Sequence, residues 1–203
     1  LERGIQRLEQ ACRRHRPTPA SLPLHTERLL WLAEAGRVDE ALAGFGDLLS
    51  VTGLDRGFLH FNRAGVQEQA GLLEGARADL EAAVQAAPDH VLYRERLSDV
   101  CVRLRDRLPE ALARLQEALD VDAHDFSRKD LVGLAPVDAR GRTGSSAARA
   151  AFSPDRARLL FKMARILYLL ERDDEARARV ADALVICRDP RVEEALLELR
   201  RSL

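Results

Sequence analysis

The sequence predicts an all-α protein that is built from repeated pairs of antiparallel helices. Ala, Leu, Glu and Arg, which favour helices, are abundant, and runs of β-branched residues are scarce. Apolar residues recur at the i, i+3, i+4, i+7 spacing of one helix face, as in the stripe from Leu159 to Leu170. A second period of 35 residues is superimposed on this pattern, and periods of that length are typical of stacked helical repeats.

The repeated unit carries an alanine followed four positions later by a larger apolar residue. The first three alanines are 35 residues apart, and the fourth comes 65 residues after the third, which is one period plus 30 residues. The four pairs are Ala41/Phe45, Ala76/Leu80, Ala111/Leu115 and Ala176/Val180. A small residue beside a large one lets two helices cross closely. The spacing therefore predicts four helix pairs, with an insertion before the fourth.

This pattern resembles the tetratricopeptide repeat family, in which a helix–turn–helix of about 34 residues carries a small residue and then A-x3-F. Ala64, Ser98 and Ala164 match the small residue of the first helix, and Gly36 and Gly71 match the glycine of the turn. No copy has the tryptophan that the family carries early in the first helix. The resemblance implies a tetratricopeptide-type α-solenoid, a right-handed superhelix of antiparallel helix pairs interrupted by a loop insert.

The resemblance divides the chain as a single repeat domain, residues 1–203. We expect repeats at 22–55, 57–90, 91–124 and 157–190. Residues 1–16 are interpreted as the second helix of a preceding repeat, and residues 190–203 as a C-terminal capping helix. Residues 125–156 are predicted to form an insert, which is either a disordered loop or a functional loop that folds over the groove or presents a regulatory site. Ser153 and Pro154 are expected to begin the helix that follows the insert.

Composition and charge exclude several classes of function. Lys and Arg number 32 against 33 Asp and Glu, so the net charge of −1 leaves no excess to neutralise nucleic-acid phosphates. A hydrophobic share of 46% is too high for a disordered chain. No apolar run approaches the roughly 18 residues of a membrane-spanning helix. Three widely spaced cysteines favour a reducing compartment, and we expect a cytoplasmic protein that binds neither nucleic acid nor membrane.

The motifs that carry catalysis or cofactors are missing from the sequence. The segment Gly141-Arg-Thr-Gly144 lacks the spacing and the lysine of a phosphate-binding loop. The five histidines include no pair at metal-ligand spacing on one helix face, and there is no G-x-S-x-G nucleophile motif. We therefore predict a protein that is not an enzyme and that needs no cofactor and no metal.

What remains is a binding surface. In the tetratricopeptide repeat family, the first helices of successive repeats line a concave groove, and this resemblance implies that a protein or peptide segment binds there. Four of the nine aromatic residues fall at groove positions, although they could instead pack between repeats or against the insert. Aromatic and arginine side chains are the usual hot spots of interfaces. The predicted contacts are Phe58, Phe61, Asn62, Arg96, Arg103, Phe161, Lys162, Arg165 and Tyr168.

These observations predict a scaffold or adaptor that binds a protein or peptide partner. Some family members clamp the acidic C-terminal tails of chaperones, but only Asn62 and Arg96 match that five-residue pattern, so such tails are disfavoured. Two alternatives stay open. In the first alternative, the chain is a structural spacer or self-association segment of a larger protein. In the second, it is a regulatory domain attached to an enzyme outside this sequence.

Overall fold

The structure is a computed structural model that describes residues 1–105, 107–131, 154–187 and 189–203. These residues form helices with short connections, and no strand occurs among them. The prediction of an all-α fold is therefore confirmed. The chain divides into two compact units, Leu1–Pro88 (unit 1) and Asp89–Leu203 (unit 2).

Unit 1 consists of one leading helix and two helix pairs. Its helices are α1 (Glu2–Arg14), α2 (Leu22–Glu34), α3 (Val38–Ser50), α4 (Arg56–Gln69) and α5 (Leu73–Ala86). Helices α2 and α3 pack as one pair and α4 and α5 as the next, while α1 packs on α2 and α3 packs on α4. Leu29, Phe45 and Leu59 are among the fully buried residues of the core between them.

The described residues of unit 2 form two helix pairs and a closing helix. Its helices are α6 (Val91–Arg103), α7 (Leu108–Leu131), α8 (Pro154–Leu169), α9 (Asp173–Ile186) and α10 (Pro190–Ser202). Helix α6 packs on α7 and α8 packs on α9, α7 contacts α8, and α10 contacts both α8 and α9. No helix in the described part of the chain has the length and apolar character needed to cross a membrane.

Helix α7 continues beyond residue 124, where the third repeat was predicted to end. The sequence offers a reason, because no proline or glycine occurs between Pro109 and Gly133 to interrupt the helix. At the other side of the predicted insert, α8 begins at Pro154. Ser153, its predicted cap, and the rest of the insert from residue 132 onward lie outside the described residues.

The residues that define the sequence period share one environment. All eight residues of the four alanine/large pairs are buried, with at most 1% of their surface exposed. The small residues of the first helices, Ala64, Ser98 and Ala164, are equally buried. The 35-residue period therefore records a set of buried positions that recurs in each helix pair, as expected where two helices cross closely.

The turn inside each helix pair places one residue in the left-handed backbone region. Gly36 and Gly71 occupy this position in unit 1, with φ of +81° and +77°, and both were predicted as turn glycines. In unit 2 the position is held by Arg105, at φ +58°, and Glu171, at φ +57°. Side chains disfavour this region because Cβ approaches the following carbonyl oxygen. The two turns of unit 2 therefore carry backbone strain that glycine would remove.

Helix α1 packs on α2 through a contact that requires glycine. A Cβ atom at Gly4 would lie 2.0 Å from the Cζ3 atom of Trp31. The indole ring therefore rests directly on the backbone of α1. Ile5, the next residue, is 1% exposed and belongs to the core of unit 1.

Candidate functional site: a charged face on helices α6 and α8

The predicted contact residues are shared between the two units. Helix α4 of unit 1 carries Phe58, Phe61 and Asn62. The remaining six lie in unit 2: Arg96 and Arg103 on α6, and Phe161, Lys162, Arg165 and Tyr168 on α8.

The residues on α4 are engaged within unit 1. Phe58 is half-buried and packs against the core, which is the alternative that the sequence left open for the aromatic residues. Asn62 donates a hydrogen bond from its side-chain amide to the carbonyl oxygen of Phe58, at 2.7 Å. One of the two amide hydrogens of Asn62 is therefore already used inside its own helix. Phe61 is half-buried.

On unit 2, an ion network joins α6 to α8. Glu95 is only 4% exposed, and Arg158 donates to its two carboxylate oxygens from Nε and Nη2, each at 2.8 Å. Lys162 Nζ lies 2.8 Å from Oε1 of Glu95 and donates to both oxygens of Asp99, at 2.8 and 2.7 Å. The carboxylates of α6 therefore neutralise two of the cations that the sequence placed in the groove. We call this set, Glu95, Asp99, Arg158 and Lys162, the α6–α8 network.

The α6–α8 network keeps Glu95 ionised. Burial alone would raise the pKa of this carboxyl group, because water stabilises the charge better than the protein interior does. The hydrogen bonds from Arg158 and Lys162, and the positive charges of both groups, outweigh burial. The net result is a pKa of Glu95 below the ordinary value of 4.5, so this carboxyl group is ionised at neutral pH.

Arg165 differs from the other two cations of α8. It is exposed, and within the described residues no carboxylate pairs with it. Its guanidinium lies over the ring of Phe161, 5.8 Å from the centroid, in a cation–π arrangement. One turn further along α8, Tyr168 is 41% exposed and Leu169 is 54% exposed. This end of α8 therefore presents an unpaired positive charge beside two large side chains in contact with water.

A cavity of about 230 Å³ lies between α6 and α8 at the same end. It brings together three residues that the sequence predicted as contacts, Arg103, Lys162 and Arg165. Apolar side chains complete its walls: Val102, Ile166 and Leu169. Ser98 and Asp99 also line it, and the sequence had given neither of them as a candidate contact.

The sequence placed three residues of the network at groove-facing positions without predicting them as contacts or as ion pairs: Glu95, Asp99 and Arg158. Glu95 and Asp99 occupy groove positions on one repeat, and Arg158 and Lys162 occupy groove positions on the next. Opposite charges on adjacent first helices are a usable signal for ion pairs that cross between repeats. Ser98 gave no such signal, because its position in the repeat explains it as a small packing residue.

The described part of the chain holds no cluster of three or more side chains that could bind a metal ion. We call the surface formed by the α6–α8 network together with Arg165, Tyr168 and Leu169 the α6–α8 face. It combines paired charges, an exposed cation and exposed apolar surface. That combination is suited to binding a segment of polypeptide.

The sequence matches no protein-family model and no curated protein. Solved structures do match. The structure of BtubC (BKLC) from P. vanneervenii is 14% identical and aligns with a TM-score of 0.65 over 99% of this chain and 80% of that chain. A crystal structure of MamA is 10% identical, with a TM-score of 0.61 over 96% of this chain and 89% of that chain.

A third match is MamA residues 41-end from Desulfovibrio magneticus RS-1, at 15% identity and a TM-score of 0.60, covering 99% of this chain and 86% of that chain. These proteins have tetratricopeptide-like helical-repeat folds. The fold type predicted from the sequence is confirmed by this likeness, and identities this low show the fold alone.

Proposed function

We propose that this chain is a non-catalytic protein-interaction module, a scaffold or adaptor. In this proposal the α6–α8 face of unit 2 binds a partner segment that carries an apolar residue next to an acidic one. The observation that supports this most directly is the end of α8, where Arg165 has no carboxylate partner within the described residues and Tyr168 and Leu169 are exposed beside it.

The chemistry of the partner follows from the chemistry of the face. Large exposed apolar surface gains free energy when a partner covers it, and tyrosine and arginine are enriched among residues that dominate binding. Arg165 supplies a charge that a carboxylate can pair, which adds specificity and speeds association. The α6–α8 network holds the neighbouring cations in place, so the face is organised before the partner arrives.

The fold supports the same proposal. Helical repeats of this type present side chains from successive first helices on one extended surface. Phe61 on α4 is a further candidate contact, on unit 1. The partner itself is not identified by these observations, and binding to acidic chaperone tails stays disfavoured because three of five clamp positions do not match.

Site-specific photo-crosslinking tests the proposal. A benzophenone amino acid replaces Tyr168 in one preparation and Val185 in the control, because Val185 lies on α9 and is 81% exposed. We expect position 168, in an extract of the source cells, to crosslink partner peptides with an acidic residue within a few positions of an apolar one. Adding the double change Arg165→Gln/Leu169→Ser should abolish those crosslinks.

Two results would contradict the proposal. The same proteins crosslinked at both positions would show non-specific contact, and crosslinks that survive the double change would move the contact to another surface. Crosslinks between two copies of the chain would support the self-association alternative, which sedimentation velocity measures independently.

A further inference from the structure

Helix α1 of unit 1 carries a stripe of exposed arginines. Arg3, Arg7 and Arg14 follow one another at the i, i+4, i+11 spacing of one helix face, and all three are exposed. Among the described residues, none of the three forms an ion pair with a carboxylate. A helix turns by about 100° per residue, which puts Glu2 and Glu9 on a different side of α1. The stripe is therefore a local excess of positive charge in a chain whose net charge is −1.

A half-buried apolar strip runs beside these arginines. Leu8 and Ala11 hold the positions of α1 that correspond to Phe45 and Leu48 of α3 and to their equivalents in the other repeats. Those equivalents are at most 5% exposed, with Leu119 not among them, whereas Leu8 and Ala11 are only half-buried. Apolar surface is therefore left over on α1, and burying it against another helix would be favourable.

Helix α10 of unit 2 presents the opposite charge. A groove of about 260 Å³ on its exposed side is lined by Pro190 and Leu197 and by four charged residues, three of them acidic: Glu193, Glu194, Glu198 and Arg201. The three glutamates are exposed and have no ion-pair partner in the part of the chain that the structure describes. Leu197 is 37% exposed. The groove therefore combines an excess of negative charge with an apolar side chain.

The two surfaces match in spacing as well as in charge. Arg3 and Arg7 are one turn apart, as are Glu194 and Glu198, so each pair spans about 6 Å along its helix. Two helices lying side by side can therefore pair both arginines with both glutamates. Each surface also adds a leucine that is partly exposed, Leu8 on α1 and Leu197 on α10.

We propose that α1 of one copy of the chain binds α10 of a second copy. The two surfaces differ, so this contact is heterologous and joins copies into closed rings or open chains. One helix pair buries less area than a standard interface, so the association is weak and sensitive to salt. It uses neither Arg165 nor Tyr168 and is independent of the proposed function.

A second copy suits the arginine stripe better than a nucleic acid does. Phosphates could pair with the arginines, but they would leave the apolar strip beside Leu8 in contact with water. The α10 groove offers carboxylates together with Leu197, so it satisfies both parts of the surface.

Sedimentation velocity of the full chain tests the contact. We expect the average mass to rise above that of the monomer between about 1 μM and about 1 mM, the range of weak interfaces. The double change Arg3→Glu/Arg7→Glu should raise the dissociation constant at least about tenfold, and Glu194→Arg/Glu198→Arg should do the same. An equimolar mixture of the two variants should associate again, because each reversed helix then meets its complement in the other variant. This recovery also shows that both variants are folded.

The matched control is Arg13→Glu/Arg16→Glu. It makes the same change in net charge close to the same helix, but both residues lie outside the stripe. We expect its dissociation constant to stay within about threefold of the parent's.

The proposal is overturned if the chain stays monomeric over this range, if the control weakens association as much as the stripe variant does, or if the mixture fails to associate. Association that is lost in Arg165→Gln/Leu169→Ser but kept in Arg3→Glu/Arg7→Glu would also overturn it, because the contact would then lie on the α6–α8 face. Binding of a duplex oligonucleotide by a chain that stays monomeric would assign the arginines to phosphates instead.

Discussion

Replacing Glu95 by glutamine tests the α6–α8 network. The change keeps the size of the side chain and removes its charge, leaving Arg158 and Lys162 without their buried counter-ion. We expect unit 2 to lose stability, because the carboxylate is only 4% exposed and accepts hydrogen bonds from two cations that belong to another helix pair.

The size of the expected loss of stability follows from how exposed the side chains of Glu95, Arg158 and Lys162 are. Removing one partner of a fully buried ion pair costs about 3–5 kcal/mol. The side chain of Arg158 is 42% exposed and that of Lys162 is 24% exposed, so water and Asp99 partly compensate both cations. We therefore expect a loss of about 2–3 kcal/mol in the free energy of unfolding at pH 7.

The lowered pKa of Glu95 also determines how its contribution to stability depends on pH. The network lowers the folded-state pKa of Glu95 below 4.5, so its contribution to stability is fully present above the pKa of the unfolded chain. That contribution is lost as the pH falls below about 4.5 and through the folded-state pKa. The difference between the parent and Glu95→Gln should consequently shrink on acidification.

Urea unfolding followed by circular dichroism at pH 7 and pH 3.5 measures both quantities. The fluorescence of Trp31, the only tryptophan, reports unit 1 in the same samples. Arg172→Gln is the matched control, because it breaks the pair with Glu175 on the exposed start of α9 and should cost much less stability than Glu95→Gln. A loss below about 1 kcal/mol for Glu95→Gln at pH 7, or a difference that grows with acid, would refute the account of the network.

Further substitutions test the backbone and the packing, each read as a change in the urea midpoint. Glu171→Gly should stabilise unit 2 by about 0.5–1 kcal/mol, because glycine adopts the left-handed backbone conformation without strain. Gly71→Ala should destabilise unit 1 by about 1 kcal/mol for the same reason. Stability changes of the same sign in the two variants would contradict the turn geometry. Gly4→Ala should cost about 1–3 kcal/mol, because its Cβ meets Trp31 at 2.0 Å. Its control, Gly46→Ala, lies inside α3 with no atom within 4 Å of the added Cβ and should stabilise by about 0.5–1 kcal/mol.

The repeat period carried most of the information about the fold. An alanine followed four positions later by a larger apolar residue recurs after 35, 35 and 65 residues, and both residues of each pair are buried in the structure, as Ala76 and Leu80 show. The reason is geometric: close helix crossing tolerates few residue types, so the sequence retains a visible mark wherever it occurs. The glycines of the first two turns were visible for a similar reason, since their φ values are positive.

The turns of unit 2 were harder to recognise in the sequence, because glycine does not occupy their left-handed position. Arg105 and Glu171 adopt positive φ there, and nothing in their chemistry predicts it. The turn after α8 is held by a hydrogen bond from the amide of Arg172 to the carbonyl oxygen of Leu167, at 2.9 Å. The corresponding bond closes the turn after Gly71, from the amide of Leu72 to the carbonyl oxygen of Gln67 at 2.8 Å. These two turns therefore share the same hydrogen bond although the residue at the left-handed position differs.

The sequence placed the predicted contacts of α8 on one helix but did not predict how their charges pair. Sequence reasoning placed Lys162 and Arg165 on the same face and treated both as available to an acidic partner. In the structure, Lys162 pairs with Glu95 and Asp99, which lie 63 or more positions earlier in the chain. A pairing over that separation depends on how one helix pair stacks on the next, which local patterns do not encode.

This internal pairing changes which partners the face can select. If Arg158, Lys162 and Arg165 were all unpaired, a strongly acidic segment would bind best, and binding would depend steeply on salt. With Glu95 and Asp99 in place, a second or third carboxylate on the partner would meet cations that are already neutralised and would lose its own hydration. Under the proposed function, we therefore expect the face to discriminate against highly acidic tails and to favour a segment whose single carboxylate sits among apolar residues. Burial of Tyr168 and Leu169 should then supply the larger share of the affinity.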